Sequence, residues 1–162
     1  MRLLNVADAR AEAQRRLPKI FFDYIDGGAA SEATMRANEA DFARYELEQR
    51  ALSGITAPRL GTTFLGQTQA LPFMLGPVGF LGLYARDGEI QAARAAAKAG
   101  IGFCLSSFSI ASITRLARQV QAQPMFQLYM LKDRGLALDM IGAARGAGVE
   151  TLFLTCLLYT SP

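Results

Sequence analysis

Pro124-Met125-Phe126-Gln127-Leu128-Tyr129-Met130 runs directly into Leu131-Lys132-Asp133-Arg134-Gly135. A proline opens this apolar run and a charged, glycine-ended turn closes it, the pattern of a buried parallel strand feeding a crossover helix. Gln127 and Tyr129 interrupt the run two residues apart, and in a strand that spacing places both on one face. An amide and a phenol therefore point the same way. They are either polar side chains satisfied inside a core, or a polar ligand site at the carboxyl end of a parallel strand, where α/β enzymes bind substrates.

Working outward from this strand, the flanking sequence has a regular beat. Upstream, Phe73-Met74-Leu75 ends in Gly76-Pro77-Val78-Gly79, a helix is predicted from Asp87 to Ala99, a strand from Ile101 to Ser106 and a helix from about Ile110 to Val120. Downstream, a helix from about Gly135 to Ala147 precedes a strand from Val149 to Thr155. Strand starts recur about every 25 residues, the period of repeated βα units in a parallel sheet. The strand ends carry Pro77-Val78-Gly79, Ser106-Ser107, Gln127-Leu128-Tyr129 and Thr155. In a (β/α)8 barrel such small and polar ends share the catalytic rim.

The amino-terminal third reads differently. Val6, Ala9, Ala13 and Leu17 form a short amphipathic helix behind an Asn5 cap. Pro18 opens a second helix with Ile20, Phe21, Tyr24 and Ile25 on one buried stripe, ended by Gly27-Gly28. A tyrosine so placed is more often core, its hydroxyl at the rim, than a ligand. Ser31 is a candidate cap for a third helix running through Met35, Asn38, Phe42 and Tyr45. Tyr45 to Arg50 and Thr62 to Leu65 are weak strand signals, read as a peripheral hairpin. The expected organisation is pre-barrel helices and hairpin over 1–70, first barrel strands over 71–155, and a separate tail over 156–162.

With 162 residues, 51% apolar and 19% charged, the chain is long enough for one domain with a sizeable core. Its net charge of +3 comes from 17 scattered Lys and Arg, which form no nucleic-acid or membrane-surface patch. Cys104 and Cys156 offer neither metal spacing nor a disulfide framework, in keeping with a reducing cytoplasm. No signal-peptide core and no apolar run of about 18 residues is present. Neither a GxGxxG after a strand nor a Walker sequence occurs, and Gly76, Gly79 and Gly82 read as turn glycines. The chain contains no histidine, so the commonest general base is missing from these residues.

Five stretches carry a resemblance: LPKIFFDYIDGGAASEAT (17–34), PFMLGPVGFLGLYARDGEIQAARAAAKAG (72–100), FCLSSFS (103–109), PMFQLYMLKDRG (124–135) and TLFLT (151–155). In order and content they resemble the FMN-dependent α-hydroxy-acid dehydrogenases and oxidases, and within them the L-lactate dehydrogenases of bacterial respiration. The resemblance implies a partial (β/α)8 barrel preceded by helices, with FMN as cofactor. It implies that Pro77, Val78 and Gly79 lay backbone against the flavin ring, that Ser106 and Gln127 hydrogen-bond its polar edge, and that Thr155 is a further flavin contact. Tyr24 would bind the substrate carboxylate, and Tyr129 would stand beside the reacting carbon and oxygen as a catalytic residue.

The reaction so implied is oxidation of an L-2-hydroxy acid, L-lactate above all, to a 2-keto acid, with electrons passing through FMN to a quinone or cytochrome-type acceptor. The family's histidine base, its arginines, a lysine near the flavin and its phosphate site have no counterpart in these residues. Where the family has valine and aspartate after the threonine, this chain reads Cys156-Leu157-Leu158-Tyr159-Thr160-Ser161-Pro162. The expectation is therefore an amino-terminal fragment, inactive and poorly soluble alone because Val149 to Thr155 would be an open apolar edge. Its parent is expected to be cytoplasmic or held peripherally at the inner face of the inner membrane, and able to form a homo-oligomer. An oxygen-using oxidase and a non-catalytic half-barrel scaffold or binding module are the alternatives.

Overall fold

The computed structural model describes residues 3–155. The expected tail over 156–162, with Cys156, lies outside them. The chain divides between Pro58 and Arg59 into two compact units.

In the first unit, α1 (Val6–Arg16) starts as its sequence dictates: the Asn5 side chain accepts from the Asp8 amide at 2.8 Å, and Asp8 reaches back to the Leu4 amide at 2.9 Å. These bonds satisfy donors that the first turn leaves open. α2 (Lys19–Asp26) follows Pro18 and ends at Gly27. The Arg10 guanidinium grips the Asp26 carboxylate with two bonds, of 2.5 and 2.6 Å, and its centre lies 5.9 Å from the Phe22 ring centroid. The Arg10 hydrogen bond holds the Asp26 carboxyl below its ordinary range.

Phe22 is the buried residue of α2, at 7% exposure, while Tyr24 is 66% exposed. This corrects the expected stripe of Ile20, Tyr24 and Ile25, all three of which are exposed within this unit. Residues two positions from Phe22 lie about 200° around the helix, so burying Phe22 turns Ile20 and Tyr24 outward. α3 (Ala33–Ala40) begins after Glu32, which takes a left-handed conformation, and not at a Ser31 cap; a 3-10 turn (Asp41–Arg44) continues it. Tyr45 to Arg50 forms no strand, because no neighbouring segment takes its backbone hydrogen bonds. The hairpin instead joins β1 (Thr62–Phe64) to β2 (Gln67–Gln69). Its two turn residues, Leu65 and Gly66, have φ of 48° and 79°, the handedness that matches strand twist and that glycine adopts freely. The hairpin falls in the second unit, past the Pro58–Arg59 division.

The rest of the second unit is a parallel sheet of four strands in chain order: β3 (Met74–Leu75), β4 (Gly102–Ser106), β5 (Met125–Tyr129) and β6 (Leu152–Thr155). α4 (Leu81–Tyr84) and α5 (Gly88–Ala99) connect β3 to β4, α6 (Ile113–Gln119) connects β4 to β5, and α7 (Arg134–Gly146) connects β5 to β6. The expected βα units are thus present, their ends matching or shifted by no more than three residues, where caps such as Ser112 and Asp133 set the boundary.

Alternation sorts the strands into two faces. Phe103 and Leu105 of β4 and Phe126 and Leu128 of β5 pack with Ile90, Ala93, Ala96, Ile113, Leu116 and Ala144 from the helices. Each large apolar side chain buried there contributes about 1.5–3 kcal/mol. Cys104 and Ser106, with Met125, Gln127 and Tyr129, fall on the other face by the same period. Gln127 and Tyr129 therefore share a face, as their spacing requires.

Candidate functional site

The carboxyl ends of β4, β5 and β6 bring three sequence-predicted residues together. Register pairs Ser106 with Gln127 and Tyr129 with Thr155. Ser106 Oγ donates to Gln127 Oε1 at 3.0 Å, and Gln127 Nε2 donates to Thr155 Oγ1 at 2.5 Å. The result is a polar row across three adjacent strands, Ser106 3% exposed and Gln127 1% exposed. A buried amide of this kind is stable only when its groups are paired. The row leaves the second amide hydrogen of Gln127 and the hydroxyl hydrogen of Thr155 for another acceptor.

Beyond Gln127 the strand presents Tyr129, half-buried. Its backbone amide donates to Ser107 Oγ at 3.3 Å, and the Ser107 amide donates to the Gln127 carbonyl at 2.9 Å. Phe108 lies beside it, ring centroids 5.1 Å apart at 46°, and Phe80 continues the series at 5.8 Å and 40° from Phe108. Tilted rings at these separations attract beyond their buried area. The Phe80 amide also donates to the Phe108 carbonyl at 2.8 Å, so the loops after β3 and β4 are joined edge to edge.

The loop after β3 carries Pro77, Val78 and Gly79. Val78 is exposed, and a Cβ built on Gly79 would meet only Phe108 Cβ, at 3.8 Å. The loop therefore offers open backbone next to the aromatic series. Ser107, Phe80 and Phe108 were not among the expected site residues, although Ser107 and Phe108 lie within FCLSSFS and Phe80 follows Gly79 directly. Tyr24 belongs to the first unit. Among the described residues no helix is long and apolar enough to cross a membrane.

The chain is similar to a group of known proteins over nearly all its length. The family model for FMN-dependent dehydrogenases matches residues 13–157. An L-lactate dehydrogenase of Yersinia pestis is 51% identical over 148 residues, 91% of this chain and 39% of that protein. The chain thus spans about two fifths of the curated relatives it matches. A soluble mutant of the membrane-associated (S)-mandelate dehydrogenase of Pseudomonas putida superposes with a TM-score of 0.89 at 39% identity, covering 94% of this chain and 44% of that one. A Pediococcus acidilactici lactate oxidase, described as putative, gives 0.88 at 32% identity over 95% of this chain and 43% of that one. The fold is α/β, a partial (β/α)8 barrel. With its sheet order, its rim and these matches in agreement, the chain belongs to the FMN-dependent dehydrogenase family.

Proposed function

We propose that this chain is the amino-terminal part of an FMN-dependent enzyme that oxidises an L-2-hydroxy acid, L-lactate above all, to the 2-keto acid. The observation that carries this reading is the polar row Ser106–Gln127–Thr155, its serine and glutamine buried and its threonine exposed, with Tyr129 next along the same face. The donor set fits the cofactor: a flat heterocycle with alternating acceptors and a ring N–H needs an amide able to give and accept, flanked by hydroxyls. FMN supplies the acceptor for the two electrons leaving the substrate.

The residues of this chain would then divide the remaining work. Ser106, Gln127 and Thr155 hold the polar edge of the flavin, and Pro77, Val78 and Gly79 lay backbone against its ring. Tyr129 places its hydroxyl at the substrate oxygen, braced by Phe108. Tyr24 contributes its hydroxyl to the substrate carboxylate. The proton acceptor and the cation that pairs the carboxylate come from the part of the relatives that this chain does not span. A quinone or cytochrome-type acceptor takes the electrons onward, the parent is cytoplasmic or held peripherally at the inner face of the inner membrane, and it assembles with copies of itself.

A second reading, an oxidase that passes electrons to oxygen, is favoured by the similarity to the lactate oxidase. Gly79 supports the dehydrogenase, since oxidases of this family tend to carry alanine there. The test is anaerobic mixing of the complete FMN-loaded protein with L-lactate. Bleaching of the oxidised flavin and one pyruvate per flavin are expected. A protein that retains no FMN, or whose flavin stays oxidised with L-2-hydroxy acids, would refute the proposal.

A further inference from the structure

Glu89 lies in the first turn of α5, yet it is 1% exposed. Its Oε1 accepts from two backbone amides, Gly82 at 3.0 Å in the first turn of α4, which directly follows the loop after β3, and Ile110 at 2.9 Å in the loop after β4. Two residues earlier in each loop, the Phe80 amide meets the Phe108 carbonyl. At the next step the loops present two N–H groups to each other, and two donors cannot bond without an acceptor between them. The carboxylate is that acceptor. Position 82 has no space for a side chain: a Cβ there would stand 2.8 Å from Ile110 Cβ and 3.0 Å from Glu89 Oε2. Oε2 is buried without a hydrogen-bond partner among the described residues, so the two amides and the amino end of α5 are what stabilise the group.

We propose that Glu89 is a positioning residue for the flavin-facing rim: by bridging Gly82 and Ile110 it fixes the spacing of the two loops that carry Gly79, Phe80 and Phe108, and through Phe108 the pose of Tyr129. This rests on the function proposed above. The chemistry required is an acceptor oxygen, not a charge. Glu89→Gln keeps such an oxygen in the same place, whereas Glu89→Leu fills the volume and leaves both amides unpaired. Gly82→Ala displaces the same contact with the carboxylate intact.

The test uses the complete protein, with and without FMN. In the flavin-free protein, hydrogen exchange of the 79–84 and 108–112 segments should be at least about tenfold faster in Glu89→Leu and Gly82→Ala than in wild type, and little changed in Glu89→Gln. In the loaded protein, Leu and Ala variants should lower kcat on the order of 100-fold with an altered flavin absorbance band, while the Gln variant falls only a few-fold. Wild-type exchange and kcat in a folded Glu89→Leu protein overturn the inference, as does a Gln variant impaired as severely as Leu. Should Glu89→Leu not fold, unaltered exchange and kcat in Gly82→Ala overturn it. A wild-type protein that binds no FMN defeats the functional reading instead, and the flavin-free exchange experiment still decides the bridge.

Discussion

The ring of Phe108 stands 5.1 Å from that of Tyr129, tilted by 46°, and the Tyr129 amide is held by the neighbouring Ser107 hydroxyl. Tyr129 is thus fixed by its ring and its backbone, which leaves the hydroxyl for chemistry. In the complete protein, Tyr129→Phe keeps the ring contact and removes only the hydroxyl. We expect kcat to fall roughly 10- to 100-fold, the loss of one hydrogen bond to a charged group, with flavin occupancy unchanged. Steady-state kinetics alongside the flavin-to-protein absorbance ratio checks this, and flavin loss with normal turnover after refilling would contradict it.

Gln127→Ala should act on the cofactor. The substitution removes both bonds of the polar row and takes from the buried Ser106 hydroxyl the acceptor it donates to. Weaker FMN retention and about 1–3 kcal/mol of lost stability are expected. Flavin fluorescence on dilution reports release, and a dissociation constant equal to wild type would remove Gln127 from the cofactor site.

Gly79 separates space from strain. It does not occupy the left-handed region, and an added Cβ would make ordinary contact with Phe108. Gly79→Ala should therefore fold with a stability change under about 1 kcal/mol. By the family tendency it should also speed reoxidation of the reduced flavin in air and raise peroxide formation. Stopped-flow reoxidation measures the first, and a rate no faster than wild type would refute the role of position 79.

Cys104 gives a pH signature independent of flavin. Burial by desolvation pushes its thiol up to about 12. An unfolded cysteine titrates near about 8.5, so between these values the unfolded chain loses the proton first and stability falls as pH rises. Below about 8.5 both states hold the proton and the contribution is constant. In a Cys156→Ser background the native protein should be inert to thiol reagents at pH 8 and react on denaturation. Stoichiometric labelling of the folded protein would contradict the burial.

The parallel sheet was legible because apolar runs, turn residues and the beat of strand starts all agree on it, and Gln127 with Tyr129 is a period-two inference that needs no tertiary knowledge. Tyr24 was not legible in the same way. Ile20, Phe21, Phe22, Tyr24 and Ile25 surround α2 with apolar groups, and which of them is buried depends on where Arg10 and Asp26 tie it to α1. Tyr45 to Arg50 has strand-like alternation, but a strand requires a partner and only 62–64 found one. Glu89 did leave a trace: it shares the helical stripe of Ala93 and Ala96, where an acidic residue has to find donors.

The strands lie side by side in the order in which a ribosome would release them. Ser106 meets Gln127 across 21 residues, and Gln127 meets Thr155 across 28. Closing loops of those lengths differs by only about 0.3 kcal/mol, so successive additions during translation face nearly the same entropic barrier. Each βα unit pairs with the edge left by the unit before it in the chain, so this strand order permits the sheet to grow one unit at a time from its amino-terminal side. The polar row at its rim is then assembled one residue per strand, in the sequence serine, glutamine, threonine.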